Sequence, residues 1–263
     1  MTIQIQDTAI EVTGSGTELI LMLHGWPDTL ALWDGTVNAL QPKYRCARLT
    51  LPGFESGPQA VSLDAMCSLL LQVADHLSPG KAITLLLHDW GCAFGYEFAM
   101  RHPQRVARVI ALDVGDHNSP ALRRQWGLRE KLAVAAYQVW LALAWKISGA
   151  VGTSMTRFMA RALRAPAPAA RITHRMNYPY AMRWFGSAGG FARSAQVQLP
   201  MPLLYVYGKR KPFMFHSQTW LEKVAQAPGS ATLELPCGHW LMLDQAEAFH
   251  AAALQWLAQS DIP

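Results

Sequence analysis

Cysteine is scarce in this chain, and its few cysteines are not arranged in pairs. The 263-residue sequence contains Cys46, Cys67, Cys92 and Cys237, with no Cys-x-x-Cys spacing, and most of them lie in apolar surroundings. Cysteines of this kind are usually buried free thiols rather than disulfide partners or zinc ligands. We therefore expect no disulfide framework and no metal site, and nothing in the sequence calls for an organic cofactor.

Long apolar segments are also lacking. The longest run, Leu132 to Trp145, has 14 residues, whereas a membrane-spanning helix requires roughly 20. We expect this run to form a buried helix, and we expect no membrane insertion. The opening "MTIQIQDTAIEV" is mixed and polar, unlike a secretory leader or an N-terminal anchor. This predicts a cytoplasmic protein.

Charged residues make up only 16% of the chain, against 51% hydrophobic residues. This balance excludes an intrinsically disordered protein, because disorder requires high charge and low hydrophobicity. The chain is long enough to bury the core of one large α/β domain, or of a domain with an insertion. No internal repeat and no nucleic-acid-binding motif is present.

Apolar runs of strand length alternate with helical patterns. The runs are "ELILMLHG", "YRCARLTLPG", "AITLLLHD", "RVARVIALD", "PLLYVYG" and "ATLELP", with helical segments such as "SLDAMCSLLLQVADHL" between several of them. This alternation predicts an α/β fold with a mostly parallel central sheet flanked by helices. The opening "TIQIQ" and "AIEVTGSG" alternate with period two, which predicts an antiparallel hairpin at the edge of the sheet.

The strand rhythm stops after Asp113 and resumes near Pro200. We interpret residues 117–195 as a helical insertion into a core formed by residues 1–116 and 196–263. The insertion holds 12 Lys or Arg and one acid, Glu130, so its charge is +11 and that of the remaining chain is −6, for a total of +5. A basic surface can attract anionic ligands, or it can simply solubilise helices. We favour solubility, because the arginines are spread along the segment.

The stretch "LLLHDWGCAFGYEFA", residues 85–99, predicts a strand, a sharp turn and a helix. In a nucleophile elbow, such a turn holds the attacking side chain above the sheet, and small neighbours permit the close backbone approach. Asp89 occupies this position, with Gly91 as a small neighbour and His88 as an unusually bulky one. The alternative is that Asp89 only caps the following helix.

Two further motifs favour a catalytic turn. "HGWP", residues 24–27, follows the strand "ELILML", where a backbone N–H can join the one after the nucleophile in an oxyanion hole. We assign this hole to the backbone amides of Trp26 and Trp90, although the motif can also be a turn that needs glycine and proline. His239 follows the last strand in "LELPCGHWLMLD", which is where a general base is expected.

Taken together, "HGWP", "HDWG" and "GHW" resemble the α/β-hydrolase superfamily in their order and separations. The sequence is most similar to the branch with an aspartate nucleophile, which contains epoxide hydrolases and haloalkane dehalogenases. The resemblance spans nearly the whole chain. It implies the α/β-hydrolase fold, with the insertion forming a helical cap over the core.

The resemblance also implies an acid that orients the histidine. Many relatives carry it after the strand that here reads "PLLYVYG", but "KRKPFMFHSQTW" follows, with no acid before Glu222. In a second arrangement within the branch, the acid ends the strand that follows the nucleophile's helix. "RVARVIALD" ends there in Asp113. Asp116 in "DVGDH" is the weaker candidate, because it lies in the loop beyond the strand.

A carboxylate nucleophile indicates the reaction. It is ionised at neutral pH and can displace a leaving group from saturated carbon, forming an alkyl ester on Asp89. His239, oriented by Asp113, would then activate water to attack that ester. The expected partners are therefore a small-molecule substrate and water, with no nucleic acid, and nothing in the sequence specifies an oligomer.

The leaving group separates an epoxide from a halide substrate. A halide requires N–H donors, whereas an epoxide oxygen requires an acid, and the epoxide hydrolases that the chain resembles use cap tyrosines. Tyr137 and either Tyr178 or Tyr180 fill that role here, and Trp26 stands where many dehalogenases carry Asn. We favour an epoxide, in a pocket lined by the four tryptophans Trp26, Trp90, Trp140 and Trp184.

Two alternatives remain at this point. A dehalogenase is the first, because Trp90 is available as a halide donor and the insertion also offers the indoles of Trp126, Trp140, Trp145 and Trp184. A ligand-binding protein without hydrolytic activity is the second, because some members of the superfamily act as receptors. The presence of Asp89, Asp113 and His239 argues against a receptor.

Overall fold

The apolar runs of the sequence form one eight-stranded sheet in the computed structural model, which describes residues 1–259. The strands are β1 (Thr2–Ile5), β2 (Thr8–Thr13), β3 (Leu19–Leu23), β4 (Arg45–Leu49), β5 (Ile83–His88), β6 (Val106–Leu112), β7 (Leu203–Gly208) and β8 (Ala231–Leu235). Their order across the sheet is β1-β2-β4-β3-β5-β6-β7-β8. Strands β3 to β8 run parallel, and β1 and β2 form the antiparallel edge hairpin. The predicted α/β class and the edge hairpin are confirmed.

Helices cover both faces of the sheet. They are α1 (Asp34–Leu40), α2 (Leu63–Leu77), α3 (Trp90–Arg101), α4 (Pro120–Gln125), α5 (Leu128–Ile147), α6 (Gly149–Ala162), α7 (Tyr178–Phe185), α8 (Gln218–Gln226), α9 (Leu241–Asp244) and α10 (Ala246–Gln259). Successive residues of β3 enter different cores, because strand side chains alternate between faces. Leu21 packs with residues of α2 and α3, whereas Ile20 and Met22 pack with residues of α1 and α10. Both faces of the sheet are therefore buried, as is usual for parallel sheets.

The chain between β6 and β7 is helical, as its periodicity predicts, and α5 packs against α6 and α7. One expectation for this segment is wrong. The apolar run Leu132–Trp145 lies in α5, but the helix is buried along one face only, and Leu132 is 61% exposed. The helix α5 carries apolar side chains on all of its faces. The rest of the molecule covers only the face that meets α6, α7 and the core.

The four cysteines are buried free thiols, as their spacing predicts. Within residues 1–259, no helix combines the length and apolar character needed to cross a membrane.

The start of α3 is packed against the end of β3 with no room for a side chain. A Cβ on Gly91, the second residue of α3, would lie 2.2 Å from the backbone oxygen of Leu23. Glycine is therefore required here because of the close backbone approach, and this contact fixes the turn between β5 and α3 relative to β3.

We expect Gly91→Ala to lower the free energy of unfolding by about 1–3 kcal/mol, the usual cost of overpacking. Urea denaturation measures the change. Gly35→Ala is the matched control, because Gly35 is the second residue of α1 and a Cβ there would meet its nearest atom only at 4.0 Å. The control should lose no stability, since alanine favours helix over glycine. Equal stability of Gly91→Ala and the wild type would contradict the packing argument.

Candidate active site

Asp89 occupies a strained turn between β5 and α3. Its backbone has φ 52° and ψ −120°, a left-handed conformation that is rare for a residue with a side chain. Its carboxylate makes no capping hydrogen bond to α3, which argues against the capping interpretation. A Cβ on Gly25 would lie 2.2 Å from Asp89 Oδ1, so glycine is needed there for the carboxylate to fit.

The carboxylate of Asp89 contacts one of the two amides assigned to the oxyanion hole. Trp26 N–H, just beyond β3, donates to Asp89 Oδ1 at 2.7 Å. The backbone nitrogen of Trp90 borders the same space, because a Cβ on Gly25 would come within 2.6 Å of it. Oδ1 therefore lies where negative charge would be stabilised, and Oδ2 is left to face another group.

His239 lies between two carboxylates. Its Nδ1 is 2.5 Å from Asp113 Oδ2, and its Nε2 is 3.5 Å from Asp89 Oδ2. Burial by itself would lower the pKa of His239, but the hydrogen bonds and charges of Asp113 and Asp89 outweigh it and raise the pKa to about 9. At neutral pH the imidazole is therefore protonated while both carboxylates are ionised.

The same interactions act on the carboxylates. Burial would raise the pKa of Asp89, but the hydrogen bond and charge of His239, with a contribution from the Trp26 N–H, hold it below its usual value. Asp89 is thus an anion at neutral pH. This is the form in which a carboxylate can act as a nucleophile.

Asp113 is the acid that the fold brings to His239. It follows β6 with φ 70° and is fully buried, and Gly208 N–H at the end of β7 donates to its Oδ1 at 3.0 Å. Asp116 makes different contacts, since its carboxylate accepts hydrogen bonds from the hydroxyls of Ser119 and Ser217. The structure brings Asp113 together with His239 and Asp89, and leaves Asp116 outside this group.

Lys211 is a participant that the sequence interpretation missed. Its ammonium forms an ion pair with Asp113 Oδ1 and is only 8% exposed. Burial would raise the pKa of Asp113, but the charge of Lys211 and the hydrogen bond from His239 keep it lowered. The available signal was the basic "KRK" in the loop after β7, which ends in the cation that pairs with Asp113.

The pKa values of two buried groups near His239 are strongly shifted. The ring of His88 lies 4.5 Å from that of His239, and burial followed by the charge of His239 lowers the pKa of His88 to about 3. Asp28 accepts a hydrogen bond from the indole of Trp240 at 2.9 Å, and burial raises its pKa to about 7. His88 is therefore uncharged at neutral pH, and the charged groups in contact with His239 are Asp89 and Asp113.

A small cavity of about 40 Å³ opens beside Asp89. Tyr137 from α5 and Tyr180 from α7 both line it, with their ring centroids 6.2 Å apart. Tyr178 lies outside it, packed against Phe54 and Phe94, and its buried hydroxyl has no hydrogen-bond partner among residues 1–259. Of the two late tyrosines, Tyr180 is the one placed beside Asp89.

The four tryptophans expected in the pocket occupy different places. Trp90 lines the cavity, whereas Trp26 is not part of its lining and packs edge-on against Tyr180 at 5.9 Å. Trp184 lines an outer cleft rather than the cavity. The expectation for Trp140 is wrong, because its side chain is 37% exposed on the outer face of α5, packed against Phe158. A helix places neighbouring positions on different faces, and sequence spacing alone did not identify the inner one.

The chain is similar in sequence to hydrolases with different activities. An esterase of Nitrosomonas europaea that acts on pimeloyl-acyl-carrier protein methyl ester is 29% identical over 125 residues, which is 46% of each chain. A haloalkane dehalogenase of Mycolicibacterium smegmatis is 30% identical over 103 residues, 36% of this chain and 33% of the other. The alignments thus span about half or less of these relatives.

The fold extends further than these sequence alignments. The structure of an epoxide hydrolase from Bacillus megaterium in complex with an inhibitor superposes with a TM-score of 0.73, at 18% identity, over 98% of this chain and all of the other. Residues 18–246 match the sequence family described by the alpha/beta hydrolase fold. The chain therefore belongs to the alpha/beta hydrolase fold family.

Proposed function

We propose that this protein is an epoxide hydrolase that forms a covalent alkyl ester on Asp89 and hydrolyses it with water activated by His239 and Asp113. The observation that carries the proposal is that Tyr137 and Tyr180 line the same cavity as the anionic carboxylate of Asp89. In this arrangement the helical insertion, residues 117–195, acts as the cap that supplies the tyrosines. The core, residues 1–116 and 196–263, supplies the other catalytic groups.

Both hydroxyls keep their protons for the substrate. Gln138 Nε2 donates to the hydroxyl of Tyr137 at 3.1 Å. An amide N–H only donates, so Tyr137 accepts this bond and its own O–H stays free. Burial raises the pKa of both tyrosines, which keeps them protonated. An epoxide oxygen between them would receive two hydrogen bonds.

The first step follows from the two oxygens of Asp89. Trp26 N–H holds Oδ1, so Oδ2 is the attacking atom. A bond forms between Oδ2 and an epoxide carbon while the carbon–oxygen bond of the ring breaks. The resulting alkoxide takes a proton from a tyrosine, and the ester keeps Oδ1 as its carbonyl oxygen.

The second step depends on the loss of the negative charge of Asp89 in the first step. Once Asp89 is an ester, the carboxylate that helped to raise the pKa of His239 is gone, so the histidine can release its proton to restore the tyrosine. Neutral Nε2 then takes a proton from water, and the oxygen of that water attacks the ester carbonyl. Negative charge develops on Oδ1, where the Trp26 amide and the neighbouring Trp90 amide stabilise it. Collapse of this intermediate breaks the ester bond to the substrate oxygen, and the leaving alkoxide takes the proton from Nε2, which completes the diol. The carboxylic acid left on Asp89 then returns its proton to His239, which restores the carboxylate and the imidazolium.

The indole contacts make a halide the weaker alternative. The indole N–H of Trp26 donates to Asn177 Oδ1 at 2.7 Å. The indole N–H of Trp126 donates to the backbone oxygen of Met214 at 2.9 Å. The indoles of the other three tryptophans of the insertion, Trp140, Trp145 and Trp184, also donate to protein oxygens. A halide would have to displace one of these bonds or rely on Trp90 alone.

Substitution of the two central groups should separate the two chemical steps. We expect Asp89→Ala to abolish diol formation, because no other side chain occupies the turn. His239→Gln should retain alkylation and accumulate an adduct of enzyme plus substrate mass, detectable by intact-protein mass spectrometry. Halide release without diol formation would support the dehalogenase. Absence of an adduct with either epoxides or alkyl halides would contradict a covalent mechanism and favour a receptor.

The two nearby aspartates provide a matched pair for testing the histidine-orienting acid. We expect Asp113→Asn to slow ester hydrolysis by about 10⁴-fold, the size of the effect when a histidine loses the carboxylate that orients it. Asp116→Asn should lower stability through its serine contacts and change the rate much less. Single-turnover kinetics of adduct decay measure the difference, and equal decay in the two variants would refute the assignment.

The charge of Asp89 should be visible in the titration of His239. Asp89→Asn removes a negative charge that stabilises the imidazolium, so the pKa of His239 should fall below its wild-type value of about 9. NMR titration of the imidazole resonances measures this. Asp34→Asn, which removes a surface carboxylate paired with Arg48, should leave the pKa unchanged. A pKa that stays near 9 in Asp89→Asn would show that Asp89 does not tune the histidine.

A further inference from the structure

Arg183 lies at the mouth of the catalytic cavity. It follows Tyr180 by three residues in α7, so the two side chains share one face of the helix. Arg183 lines the cavity that contains Asp89, and it also lines the outer cleft that opens to solvent, as do Trp90 and His117. A substrate that enters from the cleft therefore passes its guanidinium before reaching Asp89.

No acid compensates this guanidinium. Within residues 1–259, Arg183 forms neither an ion pair nor a hydrogen bond, whereas Arg48, Arg101, Arg105 and Arg108 of the core each pair with a carboxylate. Arg183 is exposed to solvent where it lines the cleft, so a ligand can reach its guanidinium. An anion at this position would meet a cation that no carboxylate already neutralises.

The lining of the outer cleft is also positively charged. Its lining contains Arg123 and Arg183 but no aspartate or glutamate among the described residues. His117 is neutral there, because burial, followed by the charge of Arg183, lowers its pKa to about 4. The two arginines are therefore the charged groups of the cleft, and both are cations.

The chemistry of Asp89 limits where a negative group of the substrate can lie. The nucleophile is an anion, so a second anion beside it would be repelled and would oppose the attack. At the mouth of the cavity, a carboxylate instead meets the planar guanidinium, which suits it as a bidentate donor. The substrate would then place its reacting carbon at the inner end and its charge at the outer end.

We propose that Arg183 binds a carboxylate group of the substrate at the mouth of the cavity, so that the enzyme acts on carboxylate-bearing epoxides. The choice of an epoxide as the reacting group rests on the proposed function. The choice of a carboxylate as the charged group rests on the position of Arg183. It differs from general attraction by a basic surface, because one arginine carries the effect while the other cations of residues 117–195 do not.

A pair of substrates that differ only in charge tests this role. A short terminal epoxide that carries a carboxylate at its far end is compared with its primary amide. We expect Arg183→Met to lower kcat/KM for the carboxylate about 10- to 100-fold, mainly through KM, which is the size of one charge-assisted interaction. The amide should lose far less. Arg183→Lys should recover part of the carboxylate rate, because it restores charge without the planar fork.

Arg161→Met is the matched control for general charge. It removes one exposed cation from α6 at a position outside the cavity and the cleft. Both substrates should keep their wild-type kinetics in this variant. Equal losses for carboxylate and amide in Arg183→Met, or a loss for the carboxylate in Arg161→Met as large as that in Arg183→Met, would overturn the proposal.

A binding measurement separates this proposal from the proposed reaction. Binding of an unreactive short-chain alkanoate to the wild type and to Arg183→Met is followed by calorimetry. Weaker binding to the variant supports the carboxylate site even if no epoxide is hydrolysed, in which case the proposed reaction alone fails. Equal binding, or no binding to the wild type, overturns the carboxylate site whatever the turnover of neutral epoxides.

Discussion

The close approach of β3 to the turn after β5 is the constraint on which the site depends. Leu23 is paired with Leu87 in the parallel register, so the two strands end side by side and their following loops meet. Gly25 and Gly91 allow this meeting, and Asp89 adopts a left-handed backbone within it. The strained turn is maintained because the surrounding sheet determines both of its ends. As a result, the Trp26 amide lies within hydrogen-bonding distance of the Asp89 carboxylate.

The charges of the site form a connected chain rather than isolated groups. Asp89, His239, Asp113 and Lys211 alternate in sign, and each contacts the next. Buried charges are costly unless they are paired, so the ionisation of Asp89, His239 and Asp113 depends on their neighbours. When Asp89 becomes an ester in the proposed reaction, the pKa of His239 should change, because that neighbour has lost its charge. Lys211 stays paired with Asp113 and keeps this acid ionised.

Much of the fold could be predicted because the sequence encodes it locally. Strands such as Ile83–His88 are continuous apolar runs, and the turn at Asp89 carries a glycine at the position where the backbone needs one. The degree of burial of α5 was not encoded in this way. Its run of apolar residues is compatible with burial on every side, and only the arrangement of α6 and α7 leaves one face in solvent.

The sequence by itself determined the order of the strands and helices and the turns that carry Asp89, Asp113 and His239, because periodicity and turn chemistry are properties of neighbouring residues. The tertiary structure decided which side chains meet. Asp113 and His239 are 126 residues apart, and Lys211 reaches the same carboxylate from the loop after β7. Tyr178 and Tyr180 are two positions apart in one helix, so they point in different directions, and only the packing of α7 selects the one that faces Asp89. Contacts of this kind depend on how distant segments pack, and no local pattern in the chain specifies them.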